Sequence, residues 1–256
     1  MWAASSSSAE FHQSCAYCER VPLNDFGQPV GDPVPDWTPP KELARGPLTG
    51  KYCSVVRLDD AHATDLWHAF GADTEGRDWT YLPYGPFGSP TDFAQWVSDV
   101  AADPTMHFYA IVVGGQARGV CALLRMAPEH GSIEIGHIHF APGLSGSPAA
   151  TEALFLLMGR VFGAGYRRYE WKCDALNERS RAAALRYGFS FEGVFRNAMV
   201  YKGRNRDTAW FACTDADWPA LTAAYRQWLD PAGFDATGRQ RRPLSELTAP
   251  LLTDRV

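Results

Sequence analysis

In the stretch SIEIGHIHF, residues 132–140, one carboxylate and two imidazoles (Glu134, His137 and His139) fall close together. These side chains can take up protons near neutral pH, the imidazole unaided and the carboxylate where its surroundings allow. Their spacing is not that of a regular strand. Ile133 and Ile135 alternate on one face, but the next apolar pair, Ile138 and Phe140, is out of phase by one. A single extra residue restores the alternation, so the stretch predicts a β-bulge at Gly136 or His137. The four apolar side chains then stay inward, with Glu134 and His139 on the other face. Such a bulge splays the strand from a neighbour and frees backbone N–H groups; a simple kink at Gly136 is the plainer alternative.

A second group of residues follows at once. In APGLSGSPAATEAL, residues 141–154, Ser147 is a favoured N-cap and Pro148 suits the first helical position. Beyond them Ala149, Ala150 and Thr151 offer N–H groups past small side chains at the positive end of the helix dipole. Gly143 and Gly146 permit close approach from the loop. That chemistry is anion binding, with an ordinary capped helix as the alternative. In CDALNERS, Asn177 and Ser180 sit where a strand ends and a helix starts, and capping alone would account for both. The loop WTYLPYGPF gathers Trp79, Tyr81, Tyr84 and Phe87, either as a concave wall for an amine or as packing between helices. In KGRNRD, Arg204 and Arg206 either bind an acidic ligand or solvate a hairpin.

The elements that must position these groups can be read from periodicity. Residues 1–50, with PVGDPVPDWTPP, form an arm with almost no periodic apolar pattern. Regular structure starts at YCSVVRL, a strand. Helices follow over AHATDLWHAF, capped by Asp59 or Asp60, and DFAQWVSDV, capped by Thr91. MHFYAIVV and RGVCALLRM read as a hairpin about a glycine turn, with SIEIGHIHF as a third strand. After the helix at 148–162 come the strand RRYEWKC, the helix ERSRAAALRY, two strands and a helix from Asp217 to Leu229. The order β-α-α-β-β-β-α-β-α-β-β describes an α/β (α+β) fold: a mixed sheet of about seven strands with helices on both faces. The domain spans 51–230, and 231–256 is a tail low in apolar content.

Composition narrows the function classes. With 256 residues and 46% hydrophobic content, the chain can bury one sizeable core or two small ones. A net charge of −5 gives no global basic field, so nucleic acid is not an expected partner. No run approaches the ~20 apolar residues of a membrane span, and MWAASSSSAEFHQ lacks a signal peptide's charged start and apolar core. The expectation is a cytoplasmic protein with no membrane partner. The six cysteines show no framework spacing and read as reduced thiols. CAYC, Cys15 to Cys18, has half the spacing of a zinc site but no second pair, so no metal is expected.

From about Leu23 to Trp218 the chain resembles the GNAT acyl-CoA N-acyltransferases, and within them the ribosomal-protein N-acetyltransferases of the RimJ/RimL type. IEIG, AATEAL, YRRYEWKCDALNERS, YGFSFEGVFR and KGRNRDTAWF carry the likeness, in that order and spacing. The resemblance implies a mostly antiparallel sheet splayed at the central bulged strand and acetyl-CoA between the strands. The donor's pyrophosphate would lie on the following helix N-terminus, at Gly146, Ser147, Ala149, Ala150 and Thr151. It implies direct transfer to an amine of a small molecule or a protein N-terminus by a monomer or homodimer. A non-catalytic acyl-CoA-binding or sensing module is the alternative.

In that chemistry Glu134 is the expected base, with His137 and His139 as alternatives, and the freed N–H near Ile138 is the donor to the thioester oxygen. Ser180 serves the leaving thiolate and Asn177 orients the pantetheine arm. Trp79, Tyr81, Tyr84, Phe87 and His139 face the acceptor. Two departures from the family pattern stand out. Ser145, Pro148 and Ala150 occupy the usual phosphate-loop positions, and Ala184 stands where many relatives carry a tyrosine as general acid, Tyr187 lying three residues later.

Overall fold

The computed structural model describes residues 21–253, in two units, 21–38 and 39–253. The first holds a tight turn in which Asn24 accepts from the N–H groups of Phe26 and Gln28, closed by a bridge between Leu23 and Pro29. Cys15 and Cys18 lie outside the described residues. The second unit begins ahead of the boundary expected near residue 50. Leu43 is buried, and β1 (Leu48–Thr49) pairs with β2 (Ser54–Arg57).

Strand alternation builds two cores. In β3 (His107–Val113), Phe108 and Ala110 face one side and Tyr109 and Ile111 the other; β4 (Gln116–Ala127) does the same with Val120 and Ala122 against Cys121 and Leu123. The first side is covered by α1 (Ala63–Phe70) and α2 (Pro90–Ala102) through Leu66, Phe70, Phe93 and Val97. The opposite side takes α3 (Pro148–Gly163) and α5 (Trp218–Leu229) through Leu157, Val161, Leu221 and Tyr225. Each fully buried large apolar side chain contributes about 1.5–3 kcal/mol. The helix starts follow local chemistry. Asp59 caps a short turn that leads into α1, and Ser89, not Thr91, caps α2 because Pro90 takes the first helical position.

The sheet has eight strands, β1-β2-β3-β4-β5-β6-β8-β7, one more than the expected seven because β1 lies in the supposed arm. It is antiparallel except where β5 (Ser132–Phe140) runs parallel to β6 (Arg168–Asp174). α4 (Glu178–Arg186) follows β6, and β7 (Ser190–Tyr201) and β8 (Arg204–Thr214) form a long hairpin. The segment after α5 is packed rather than loose. Leu244 and Thr248 are fully buried beside α6 (Ser245–Thr248), and the Thr248 hydroxyl donates to the Arg186 carbonyl, capping α4. No described helix is long and apolar enough to cross a membrane.

Candidate active site

The central strand is bulged at His137. Val120 pairs with His139 but Ala122 pairs with Gly136, so β5 spends three steps where β4 spends two, and His137 takes φ 51° to absorb the extra residue. Ile133, Ile135, Ile138 and Phe140 all pack toward the α3 core, as the out-of-phase pattern required. On its other edge β5 pairs with β6 only from Ser132–Arg168 to Ile135–Trp171. Beyond that point the strands part. A cleft of about 190 Å³ opens between Gly136–Ile138 and Lys172–Asp174, and Ile138 has no register partner on either neighbour.

Glu134 sits on the wall of this cleft, 3% exposed. Its carboxylate accepts from Arg125 Nη1 at 2.8 and 2.7 Å, and Lys172 Nζ lies 3.0 Å away. These cations offset the cost of burying its charge. A second bulge aims Arg125, for β4 carries an extra residue between Leu124 and Ala127 and Arg125 itself takes φ 46°. Lys172 also pairs with Glu170 at 2.7 Å and lies 3.7 Å over the Trp210 ring. Glu170 in turn meets Arg168, which reaches Glu192. Burial pushes the Glu170 carboxyl up, but hydrogen bonds from Lys172 and Arg168 outweigh it and hold the group below its ordinary range.

Ser180 stands across the cleft. Its Oγ accepts from Trp171 Nε1 at 3.0 Å, and the hydroxyl hydrogen is left for the neighbouring Cys173 sulfur or a ligand. Asn177 lines the cleft as well, but its Oδ1 caps α4 by accepting from the Ser180 N–H at 3.0 Å. Tyr187 and Ala184 belong to the α3 core, and neither lines the cleft.

At the start of α3 the Ser147 hydroxyl accepts from the Ala150 N–H at 3.2 Å and its carbonyl from Thr151 at 3.3 Å, so the cap itself engages two of the expected donors. The Ala149 N–H has no acceptor among the described residues. A Cβ built on Gly143 or Gly146 would meet nothing within 4 Å, so the loop has open space beside it. Across that space the turn closed by the Phe234–Gln240 bridge brings Arg239 alongside Gly146 and Ser147. Nothing in the apolar pattern of the tail pointed to this arginine.

The aromatic loop divides. Tyr81 lines the cleft, whereas Trp79, Phe87 and His139 pack into the α1–α2 core. His139 stacks on Phe70 at 3.9 Å, which corrects its expected place at the acceptor, and burial lowers it to about 4, so it is neutral. Tyr84 is half-buried behind the cleft, its hydroxyl 3.1 Å from Nδ1 of His137, which does line it. Burial first, then Arg125 and Arg206, bring His137 to about 4. Either tautomer commits one ring nitrogen to Tyr84. Sequence reasoning missed Arg125, Lys172, Asp174 and Tyr201. Of these, Lys172 and Asp174 could have been found from their alternation with Trp171 and Cys173. The Tyr201 hydroxyl donates to Asp174 at 2.8 Å, and burial, then this bond, raises it to about 12.

The profile of the "Acetyltransferase (GNAT) domain" matches residues 55–190, which contain the bulged strand, α3 and the Ser180 helix. The chain belongs to the GNAT acetyltransferase family. Solved GNAT structures agree over most of its length. A GCN5-related N-acetyltransferase from Brucella melitensis is 42% identical, with TM-score 0.81 over 84% of this chain and 99% of the other. A probable GNAT-family acetyltransferase from Chromobacterium violaceum ATCC 12472 is 39% identical, with TM-score 0.71 over 75% and 98%. RimL, a ribosomal L7/L12 alpha-N-protein acetyltransferase, shares the fold at 20% identity, with TM-score 0.58 over 66% and 94%. No curated protein matches the chain. This GNAT chain is thus an N-acetyltransferase, and the fold implies acetyl-CoA as the acetyl donor.

Proposed function

We propose that this enzyme carries acetyl from acetyl-CoA to a primary amine, of a small molecule or a protein N-terminus, with Glu134 as base and Ser180 as donor to the leaving sulfur. The parting of β5 from β6, with Glu134 on one wall and Ser180 across from it, carries the reading. The thioester supplies an activated acetyl group held between the two strands. Gly146, Ser147 and Arg239 line the hollow assigned to the donor's phosphates, where the cap hydroxyl and the Ala149 N–H offer hydrogen bonds at the positive end of α3. Ala150 and Thr151 contribute small size more than free donors, and Asn177 and Ser180 border the pantetheine path.

An amine is mostly protonated near neutral pH, so attack requires a proton acceptor. Glu134 takes that proton through a water, since Arg125 bonds both of its oxygens, Lys172 lies beside one, and a carboxylate's approximately four acceptor positions still leave room for a water. As the amine nitrogen bonds to the carbonyl carbon, negative charge grows on the oxygen, and the Ile138 N–H, where the strands part, stabilises it. The carbon–sulfur bond then breaks. Ser180 donates to the departing sulfur, and the products are the acetylated amine and free CoA thiol. The test is thiol release from acetyl-CoA across a panel of amines and N-terminal peptides. Tight acetyl-CoA binding with no release for any acceptor would point instead to a binding or sensing module.

A further inference from the structure

Asp78, Glu134 and Asp174 share the cleft lining with Arg125, Lys172 and Arg206, but these charges are unevenly partnered. The three carboxylates are each engaged: Glu134 by Arg125 and Lys172, Asp78 by Arg179 at 2.9 Å, and Asp174 by the Tyr201 hydroxyl and the Leu176 N–H. Arg206 is different. It is half-buried on β8 and lines the cleft, yet among the described residues its partners are neutral: Nε donates to Thr208 Oγ1 at 3.2 Å, the guanidinium lies 5.7 Å over the Tyr201 ring, and no carboxylate pairs with it. Arg125 spends a single nitrogen, Nη1, on Glu134, and its side chain remains 54% exposed. Both arginines line the cleft together with His137, which burial lowers to about 4 and which therefore offers no countercharge. A half-buried guanidinium whose partners are all neutral keeps an uncompensated desolvation cost, which an anion binding to it recovers.

The cleft is also roofed. The loop after α1 is tied to the far wall at three points: the Tyr81 hydroxyl donates to the Leu176 carbonyl at 3.2 Å, Arg179 pairs with Asp78, and Lys202 Nζ donates to the Trp79 carbonyl at 2.8 Å. These ties narrow the acceptor side of the cleft, which favours a compact molecule over a polypeptide.

We infer that the acceptor is a small primary amine that carries its own carboxylate or phosphate, held by Arg206 with help from Arg125 while the amine faces Glu134. The inference rests on the transferase reading above and names its substrate class. It is tested by steady-state transfer to matched acceptors: an amino acid against its carboxamide, phosphoethanolamine against ethanolamine, and peptides with acidic or neutral second residues. At least one anionic small acceptor exceeds its neutral counterpart by ~10-fold or more in kcat/KM, as a charge-assisted hydrogen bond requires, and the better pair tells carboxylate from phosphate. Arg206→Gln removes that preference by raising KM for the anionic acceptor ~10- to 100-fold, with kcat for neutral amines and the acetyl-CoA Kd unchanged. Arg206→Glu turns the preference toward neutral or cationic amines. Equal kcat/KM within every pair, or a preference that survives in Arg206→Gln, overturns the inference and leaves the transferase reading standing. A peptide that outperforms every small acceptor overturns it too. Transfer to no acceptor overturns the transferase reading itself, and this inference with it.

Discussion

Replacing Glu134 with glutamine separates its chemical role from its structural one. The carboxylate receives Arg125 at 2.8 and 2.7 Å and Lys172 at 3.0 Å, and glutamine keeps the shape and one acceptor oxygen while removing the charge. Stripping a buried cation of its sole partner costs about 3–5 kcal/mol. Neither cation is left in that state, because Lys172 retains Glu170 at 2.7 Å and Arg125 is half in solvent. The stability loss is therefore about 1–2 kcal/mol, a fall in Tm of about 2–8 °C for a chain of this size, and the variant stays folded at the assay temperature. The kinetic loss is larger. Removal of a positioned base lowers kcat by ~10²- to 10⁴-fold, about 2.7–5.4 kcal/mol of barrier, while calorimetry finds the acetyl-CoA Kd within ~3-fold of wild type. Glu170→Gln is the matched control. It removes Lys172's other partner outside the cleft, so it destabilises to a similar degree but keeps kcat within ~3-fold. Wild-type kcat in Glu134→Gln would move the base to His137 or solvent. Equal losses of kcat in the two variants would show that the charge network, and not proton acceptance, sets the rate.

Three further outcomes are expected. Ser180→Ala slows transfer ~10- to 10³-fold, and the deficit shrinks as pH rises toward the thiol range and the thiolate leaves unaided; a thermally stable variant with wild-type kcat would sink the role. Ala149→Asp and Arg239→Ala each weaken acetyl-CoA ~5-fold or more by calorimetry, through repulsion at the α3 N-terminus and loss of the facing cation, and unchanged affinity in both would place the phosphates elsewhere. His139, lowered to about 4 by burial from an ordinary 6.5, stays neutral in the folded state, so the unfolded chain binds the extra proton between those values. Its contribution is complete above pH 6.5 and is lost as pH falls toward 4, up to ~3 kcal/mol, so denaturation of His139→Phe is flatter across that window, and identical pH slopes would refute the assignment.

Local order determined a good deal on its own. The phase error in SIEIGHIHF narrowed the irregularity to Gly136 or His137, because side-chain alternation has a period of two and cannot absorb an odd residue unnoticed, and the structure puts it at His137. Ser147–Pro148 likewise specified the α3 start, since cap and first-turn preferences depend only on neighbouring backbone. The aromatic loop was not decided this way. Tyr81 reaches the cleft while Trp79 and Phe87 enter the core, and a tryptophan's burial depends on which helices close over it, not on its neighbours in the chain. The same holds for the ion network around Glu134. Arg125 and Lys172 come from the strands flanking β5, and only strand order and two bulges bring them to one carboxylate. Arg239 joins the α3 loop from about ninety residues downstream because the tail packs on α4 and α5, a contact made by side-chain burial between distant segments and thus invisible to any local pattern.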